Sequence, residues 1–160
     1  MEDKKIIWIT GASSGIGRAL AIKFANEGWT VAASARRESL LKELNKENSN
    51  IHSYPLDVTN LDQINSVFKN IVSDFGDLDL CVFSSGTYDP KLEQEINIKQ
   101  NKFVMETNFF GVLYCIKSVE KYFKEKKDGH ISIVSSIAAY RGLPNSSGYG
   151  PSKAALTNLT

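Results

Sequence analysis

Lys5-Ile6-Ile7-Trp8-Ile9-Thr10-Gly11-Ala12-Ser13-Ser14-Gly15-Ile16-Gly17 is the stretch that decides the fold. Its first six residues, apolar between their ends, predict a short buried strand. The glycine-rich turn that follows runs into residues 18–27, where Leu20, Ile22, Phe24 and Ala25 recur at helical spacing. Strand, glycine turn and helix, in that order, form the context a dinucleotide-binding loop requires; alone, the turn could merely join a strand to a helix. Gly11 permits the tight turn, Gly15 lets backbone approach a pyrophosphate, and Gly17 lets the helix pack close to the strand. Free N–H groups at the helix start, around Ser13, Ser14 and Ile16, then face the phosphates.

Downstream, strand and helix signals alternate without a linker, a repeat or a low-complexity segment. Strands are predicted at 5–10, 30–35, 51–56, 78–84 and 130–135, and helices at 15–27, 38–47, 61–75 and 98–126. The pattern is α/β with a parallel sheet, one domain over residues 1–160. Gly111 inside the long fourth helix points to close packing against a neighbour rather than a break. Residues 86–96 read as irregular, above the strand ends where substrate loops belong.

The end of the second strand bears on the cofactor. Ala35 lies twenty residues after Gly15, where an acidic residue would hydrogen-bond the ribose of NAD. Here Ala35 is followed by Arg36 and Arg37. With no carboxylate to repel a phosphate and two guanidiniums to bind one, NADP(H) is expected over NAD(H). The plainer alternative is two solvated arginines at the start of a helix.

Near the C-terminus, Tyr149 and Lys153 stand four residues apart in Tyr-Gly-Pro-Ser-Lys, which on a helix puts both on one face. Pro151 supports a helix start there, because its missing N–H costs nothing in a first turn. A phenol of pKa about 10 is a poor proton carrier near neutrality, and bringing it to about 7 takes roughly 4 kcal/mol of differential stabilisation. A neighbouring ammonium in a partly desolvated cleft can supply much of that, and a helix N-terminus adds in the same direction. Ser136 follows the apolar run Ile131-Ser132-Ile133-Val134-Ser135, which would deliver its hydroxyl to the rim of the sheet. There it can hydrogen-bond a substrate oxygen as charge develops. Taken alone, Tyr-x-x-x-Lys is common on helix surfaces; the glycine turn upstream gives it weight.

With these residues together, the chain resembles the short-chain dehydrogenase/reductase family, from Lys4 to its last residue. The turn at residues 10–17 is similar to the family's Thr-Gly-x-x-x-Gly-x-Gly, and Gly11, Gly15 and Gly17 do not fit the Thr-Gly-x-x-Gly-x-x-Gly of the extended sugar-nucleotide relatives. Leu56-Asp57-Val58-Thr59 resembles the segment lining the adenine pocket. Thr107-Asn108-Phe109-Phe110-Gly111 resembles the stretch whose asparagine completes a catalytic tetrad. The resemblance implies that Tyr149 is the general acid/base, that Lys153 lowers its pKa and holds the nicotinamide ribose, that Ser136 positions the substrate oxygen, and that Asn108 maintains a water-linked proton path to Lys153. One departure is Phe83-Ser84-Ser85-Gly86, where the family has Asn-Asn-Ala-Gly; Ser84, Ser85 and Gly86 are still expected to line the cofactor cleft by their backbone. The implied fold is a Rossmann-type doubly wound sheet, order 3-2-1-4-5, with later strands missing. By the same resemblance the sequence is the N-terminal part of a longer reductase, its fifth strand an unguarded apolar edge. Homo-oligomerisation is expected by analogy.

A formal net charge of +1 gives no argument for nucleic acid or a membrane as partner. Cys81 and Cys115 read as buried thiols, and His52 and His130 have no ligand-spaced partners, so no metal is expected. Without a signal-peptide pattern or a membrane-length apolar run, a cytoplasmic protein is expected. The expected activity is NADP(H)-dependent interconversion of a small-molecule carbonyl and secondary alcohol. The alternative is a dinucleotide-binding module without turnover.

Overall fold

The computed structural model describes residues 4–159. Its central strand β1 (Ile6–Thr10) is buried at every position, as a run of β-branched and aromatic side chains between two helix layers should be. β2 (Thr30–Ser34) and β4 (Leu80–Phe83) pair with it on either side, and β3 (Ile51–Ser53) and β5 (His130–Ile133) form the edges. All four pairings are parallel and the order is β3-β2-β1-β4-β5. That is the doubly wound order expected from the sequence, with its direction of winding reversing between β1 and β4.

Alternation along β1 feeds two cores. Ile6 and Trp8 point to one face and pack with α3 (Leu61–Phe75) and α5 (Gly111–Lys126) through Ile64, Ile71, Val112 and Cys115. Ile7 and Ile9 point to the other and meet α1 (Gly15–Asn26) and α2 (Glu38–Glu47) through Ala21, Ala25, Leu41 and Leu44. Each such buried aliphatic side chain is worth about 1.5–3 kcal/mol over an exposed one. Phe83, at the family's asparagine position, is buried and meets Trp8 edge-on with ring centroids 5.8 Å apart. The Trp8 indole in turn donates to Ser34 Oγ at 2.9 Å. Replacing an amide by a phenyl ring therefore leaves the sheet regular: backbone bonds such as Val134 N–H to Phe83 O at 3.0 Å tie the strands, and aromatic packing fills the space.

Two expectations change. β3 ends at Ser53, not at residue 56; Tyr54 and Leu56 still donate to Ala33 O and Ala35 O along an irregular edge, and Pro55 between them falls where an edge strand's N–H would face away from the sheet. The long helix expected at 98–126 is three pieces: α4 (Ile98–Met105), a π turn (Glu106–Phe110) and α5. Gly111 begins α5 at a close approach, since a Cβ there would stand 2.7 Å from Val58 Cγ2. The last helix, α6 (Tyr149–Leu159), follows a 3-10 turn (Ile137–Ala139); Thr160 lies outside the described residues.

Candidate active site

The glycine turn sits at the C-terminal end of β1. Gly11 has φ of +72°, and a Cβ on it would meet Ser84 O at 2.8 Å, so both conformation and contact demand glycine. A Cβ on Gly17 would stand 2.4 Å from Gly11 O, which is how closely α1 is drawn onto the turn. Around Gly15 the space is open. Ser14 is the N-cap of α1, yet its side chain makes no capping bond, and the first turn holds no acidic residue. The amide end of this helix is therefore free to take an anion.

A cleft of about 470 Å³ runs from this turn across the ends of β2, β4 and β5 to α6. The sequence-predicted residues Gly11, Ser13, Ser14, Ile16, Arg36, Arg37, Asp57, Val58, Ser84, Ser85, Gly86, Tyr149 and Lys153 all line it. Gly15, exposed, and Gly17, buried, belong to the same turn and helix start. Arg37 folds over the turn: its Nη2 donates to Ser13 Oγ at 2.9 Å and to Ser14 Oγ at 2.7 Å. Among the described residues neither arginine pairs with a carboxylate in a salt bridge. Asp57 Oδ1 accepts from Thr59 N–H at 3.0 Å and from its hydroxyl at 2.8 Å, a local turn that fixes the segment beside Val58.

Tyr149 opens α6 and Lys153 follows one turn later, with Lys153 Nζ 5.8 Å from the Tyr149 ring centroid. Lys153 is buried, donates to Val134 O at 2.8 Å, and is held below the ordinary lysine value by that burial. Pro151 sits in the first turn of the helix. The N-terminal donors here are all used. Gly148 and Tyr149 N–H groups donate to Glu93 Oε2 at 2.8 and 2.9 Å, and Gly150 N–H donates to Ser146 Oγ at 2.9 Å. A carboxylate thus already faces the positive end of α6, so the pull of the helix dipole on the phenol, expected from the sequence, is opposed.

Asn108 lies within the π turn and is fully buried. Its Oδ1 accepts from Thr87 N–H at 2.7 Å, and its Nδ2 donates to Thr87 O at 3.0 Å and to Ser152 Oγ at 3.1 Å. The amide side chain is committed to holding the β4–α4 loop against α6. A methyl added to Gly86 would stand 3.5 Å from Asn108 Oδ1 and 3.7 Å from Lys153 Nζ, so both groups border the same glycine. Ser136 is half-buried and caps the 3-10 turn, its Oγ accepting from Ala138 N–H at 3.1 Å. Val134 and Ser135, just before it, line the cleft, and the turn that Ser136 caps packs against α6.

These parts, in this chain order, match a known family. The family described as short chain dehydrogenase matches residues 5–160. The chain belongs to that family. It is 34% identical over 159 residues to the mouse dehydrogenase/reductase SDR family member 7, covering 94% of this chain and 47% of that protein. It is 33% identical to the 3-oxoacyl-[acyl-carrier-protein] reductase FabG of Thermotoga maritima, covering 98% of this chain and 65% of the relative. The chain therefore spans about half to two thirds of the length of these relatives. Among solved structures, ElxO with NADP bound superposes with a TM-score of 0.89 at 32% identity, covering 98% of this chain and 65% of that one. An actinorhodin polyketide ketoreductase with NADPH superposes with a TM-score of 0.92 at 27% identity, covering 100% and 64%.

Four residues at the site were not legible as such. Ser152 bridges Asn108 to Tyr149, donating to Tyr149 O at 2.7 Å; its place three residues after Tyr149 was the available signal. Tyr88 lays its ring 4.5 Å from that of Tyr149 and donates to Asn145 O at 3.1 Å. Glu93 is one of several acidic residues in an irregular stretch, and only its burial sets it apart. Thr107 also lines the cleft with a buried hydroxyl that has no partner among the described residues. Cys81 and Cys115 are buried free thiols, away from the cleft, and burial pushes Cys115 up to about 12.

Proposed function

We propose that this chain carries the cofactor site and the acid–base group of an NADP(H)-dependent oxidoreductase that interconverts a carbonyl and a secondary alcohol. The observation that carries this reading is that the open amide end of α1 and the Tyr149–Lys153 pair of α6 face one cleft. A dinucleotide suits the residues present. Gly11, Ser13, Ser14, Gly15, Ile16 and Gly17 offer backbone to a pyrophosphate at a helix start without a side-chain cap. Asp57 and Val58 would border the adenine, Arg36 and Arg37 the ribose phosphate, and Ser84, Ser85 and Gly86 the nicotinamide half.

A nicotinamide held beside Ser84, Ser85 and Gly86 would supply hydride chemistry at the substrate carbon. Tyr149 gives its phenolic proton to the carbonyl oxygen in reduction and recovers one in oxidation. Lys153, as ammonium, favours the phenolate and offers donors to a ribose hydroxyl. Ser136 uses its oxygen to accept from Ala138, which leaves its own O–H to donate to the substrate oxygen. Asn108 holds Thr87 and Ser152 in place around Gly86 and Lys153.

NADPH absorbance followed with a panel of ketones and aldehydes tests this. Tyr149→Phe should lower kcat about 10²- to 10⁴-fold and leave NADPH binding within about threefold. NADPH binding without consumption of any carbonyl would favour the second reading, a binding module. For the cofactor, NADPH should bind in preference to NADH, and Arg36→Ala with Arg37→Ala should shrink that preference about tenfold or more. Equal affinity for the two dinucleotides in the unaltered chain would sink the NADP(H) assignment.

A further inference from the structure

We infer that Glu93 is a positioning residue for proton transfer: its carboxylate clamps the first amides of α6 and so fixes where the Tyr149 phenol stands. The inference rests on the acid–base role proposed for Tyr149. Glu93 is 1% exposed, and the same oxygen, Oε2, accepts from Gly148 N–H at 2.8 Å and from Tyr149 N–H at 2.9 Å. The second bond goes to the backbone of the acid–base residue itself.

Two other helices show what an ordinary cap looks like in this protein. Asn60 and Asn97, each directly before its helix, cap α3 and α4 by accepting from Gln63 and Gln100 N–H groups. α6 has a local acceptor too, Ser146 Oγ for Gly150 N–H, but the Gly148 and Tyr149 amides go to a carboxylate 55 residues upstream of Gly148, on the loop beside the cleft. The other carboxylate oxygen, Oε1, is buried with no partner among the described residues. A buried carboxylate with a bare oxygen is a costly choice for helix capping alone, since a serine or aspartate next to the helix would serve without it. The same loop grips Tyr149 a second time through the Tyr88 ring, 4.5 Å away. Loop 86–96 thus holds Tyr149 by its backbone amide and by its ring. Because reacting groups displaced by about 1 Å can lose about 10²-fold in rate, such a grip acts on kcat.

The test compares Glu93→Ala, which removes both acceptors, with Glu93→Gln, which keeps one acceptor oxygen and the side-chain shape. Turnover, NADPH affinity and melting are measured in the full chain, together with ¹⁹F spectra of protein carrying 3-fluorotyrosine. The Tyr149 line, one of six, is assigned by its loss in Tyr149→Phe. In Glu93→Ala, kcat should fall about tenfold or more with KM and NADPH affinity within about twofold, and the Tyr149 line should broaden or split. Glu93→Gln should restore kcat to within about threefold and return a single line. An unchanged Tyr149 line in Glu93→Ala, or a Glu93→Gln variant as impaired as Glu93→Ala, would overturn the inference. Should Glu93→Ala not fold, Glu93→Asp, whose carboxylate is drawn back by one methylene, is read by the same criteria. If the unaltered chain turns over no carbonyl, the functional reading falls, and the fluorine line still decides this inference.

Discussion

The helices that open onto the cleft begin in opposite ways. α1 starts behind a glycine turn with no side chain capping it and no acidic residue in its first turn. α6 starts with its free amides taken by a buried carboxylate and by Ser146. The physics at the two termini is the same, a partial positive charge and a set of unpaired N–H groups. What differs is who satisfies them. Where the amides are left open, the chain has a place for an anion; where they are closed from within, it has a rigid mount for a side chain. A helix N-terminus is therefore not by itself a binding site, and its capping partner tells which use it has.

The largest expected effect comes from destroying the open end. Gly17→Ala would place a methyl 2.4 Å from Gly11 O, backbone that cannot yield without moving the turn. Stability should fall by about 2–3 kcal/mol in chemical denaturation, and NADPH affinity by about a hundredfold or more in titration. A smaller change makes α1 resemble α6. Ile16→Glu puts a carboxylate on an exposed position in the first turn of α1. It should raise helix stability by about 0.5 kcal/mol yet weaken dinucleotide binding about tenfold, so that melting and affinity move in opposite directions. Melting and affinity moving together would break the comparison.

The smallest effect concerns the buried cation on α6. Lys153 has its pKa lowered by burial in the folded chain, so between that lowered value and the ordinary one near about 10.4 the unfolded chain binds more protons. Stability contributed at this site is therefore least where Lys153 is charged in both states, and it rises with pH across that window. Lys153→Met should flatten this rise when melting curves of the two proteins are compared along a pH series. An equal slope in both would show that Lys153 is better solvated than its burial implies.

Much of the fold was legible because its signals are local. The glycine turn after a strand, the two-residue alternation of β1 and the helical spacing after Gly17 each concern neighbouring residues, and the sheet order follows from the doubly wound pattern. Element ends were less legible: β3 stops at Ser53 although backbone bonds to β2 run on to Leu56, and the π turn that carries Asn108 interrupts what periodicity shows as one helix. A π turn of five residues is shorter than the window over which periodicity is read, so it is not separated from the helices on either side of it. At the cleft, spacing put Tyr149 and Lys153 on one helix face, while their place at a site rested on the glycine turn around Gly11 and on the family resemblance. Ser136 could be placed near the sheet rim, but not its capping bond to Ala138.

By itself, the sequence determined which side chains this protein has to work with and on which elements they ride, because strand and helix periods are properties of consecutive residues. The tertiary structure decided which of those groups are already engaged. Asn108 spends its amide on Thr87 and Ser152, Arg37 lies across Ser13 and Ser14, and Glu93 reaches the start of α6 from 55 residues away. The physical reason is that hydrogen-bond satisfaction in a buried site is set by what folding brings within about 3 Å, and no run of neighbouring residues encodes that distance.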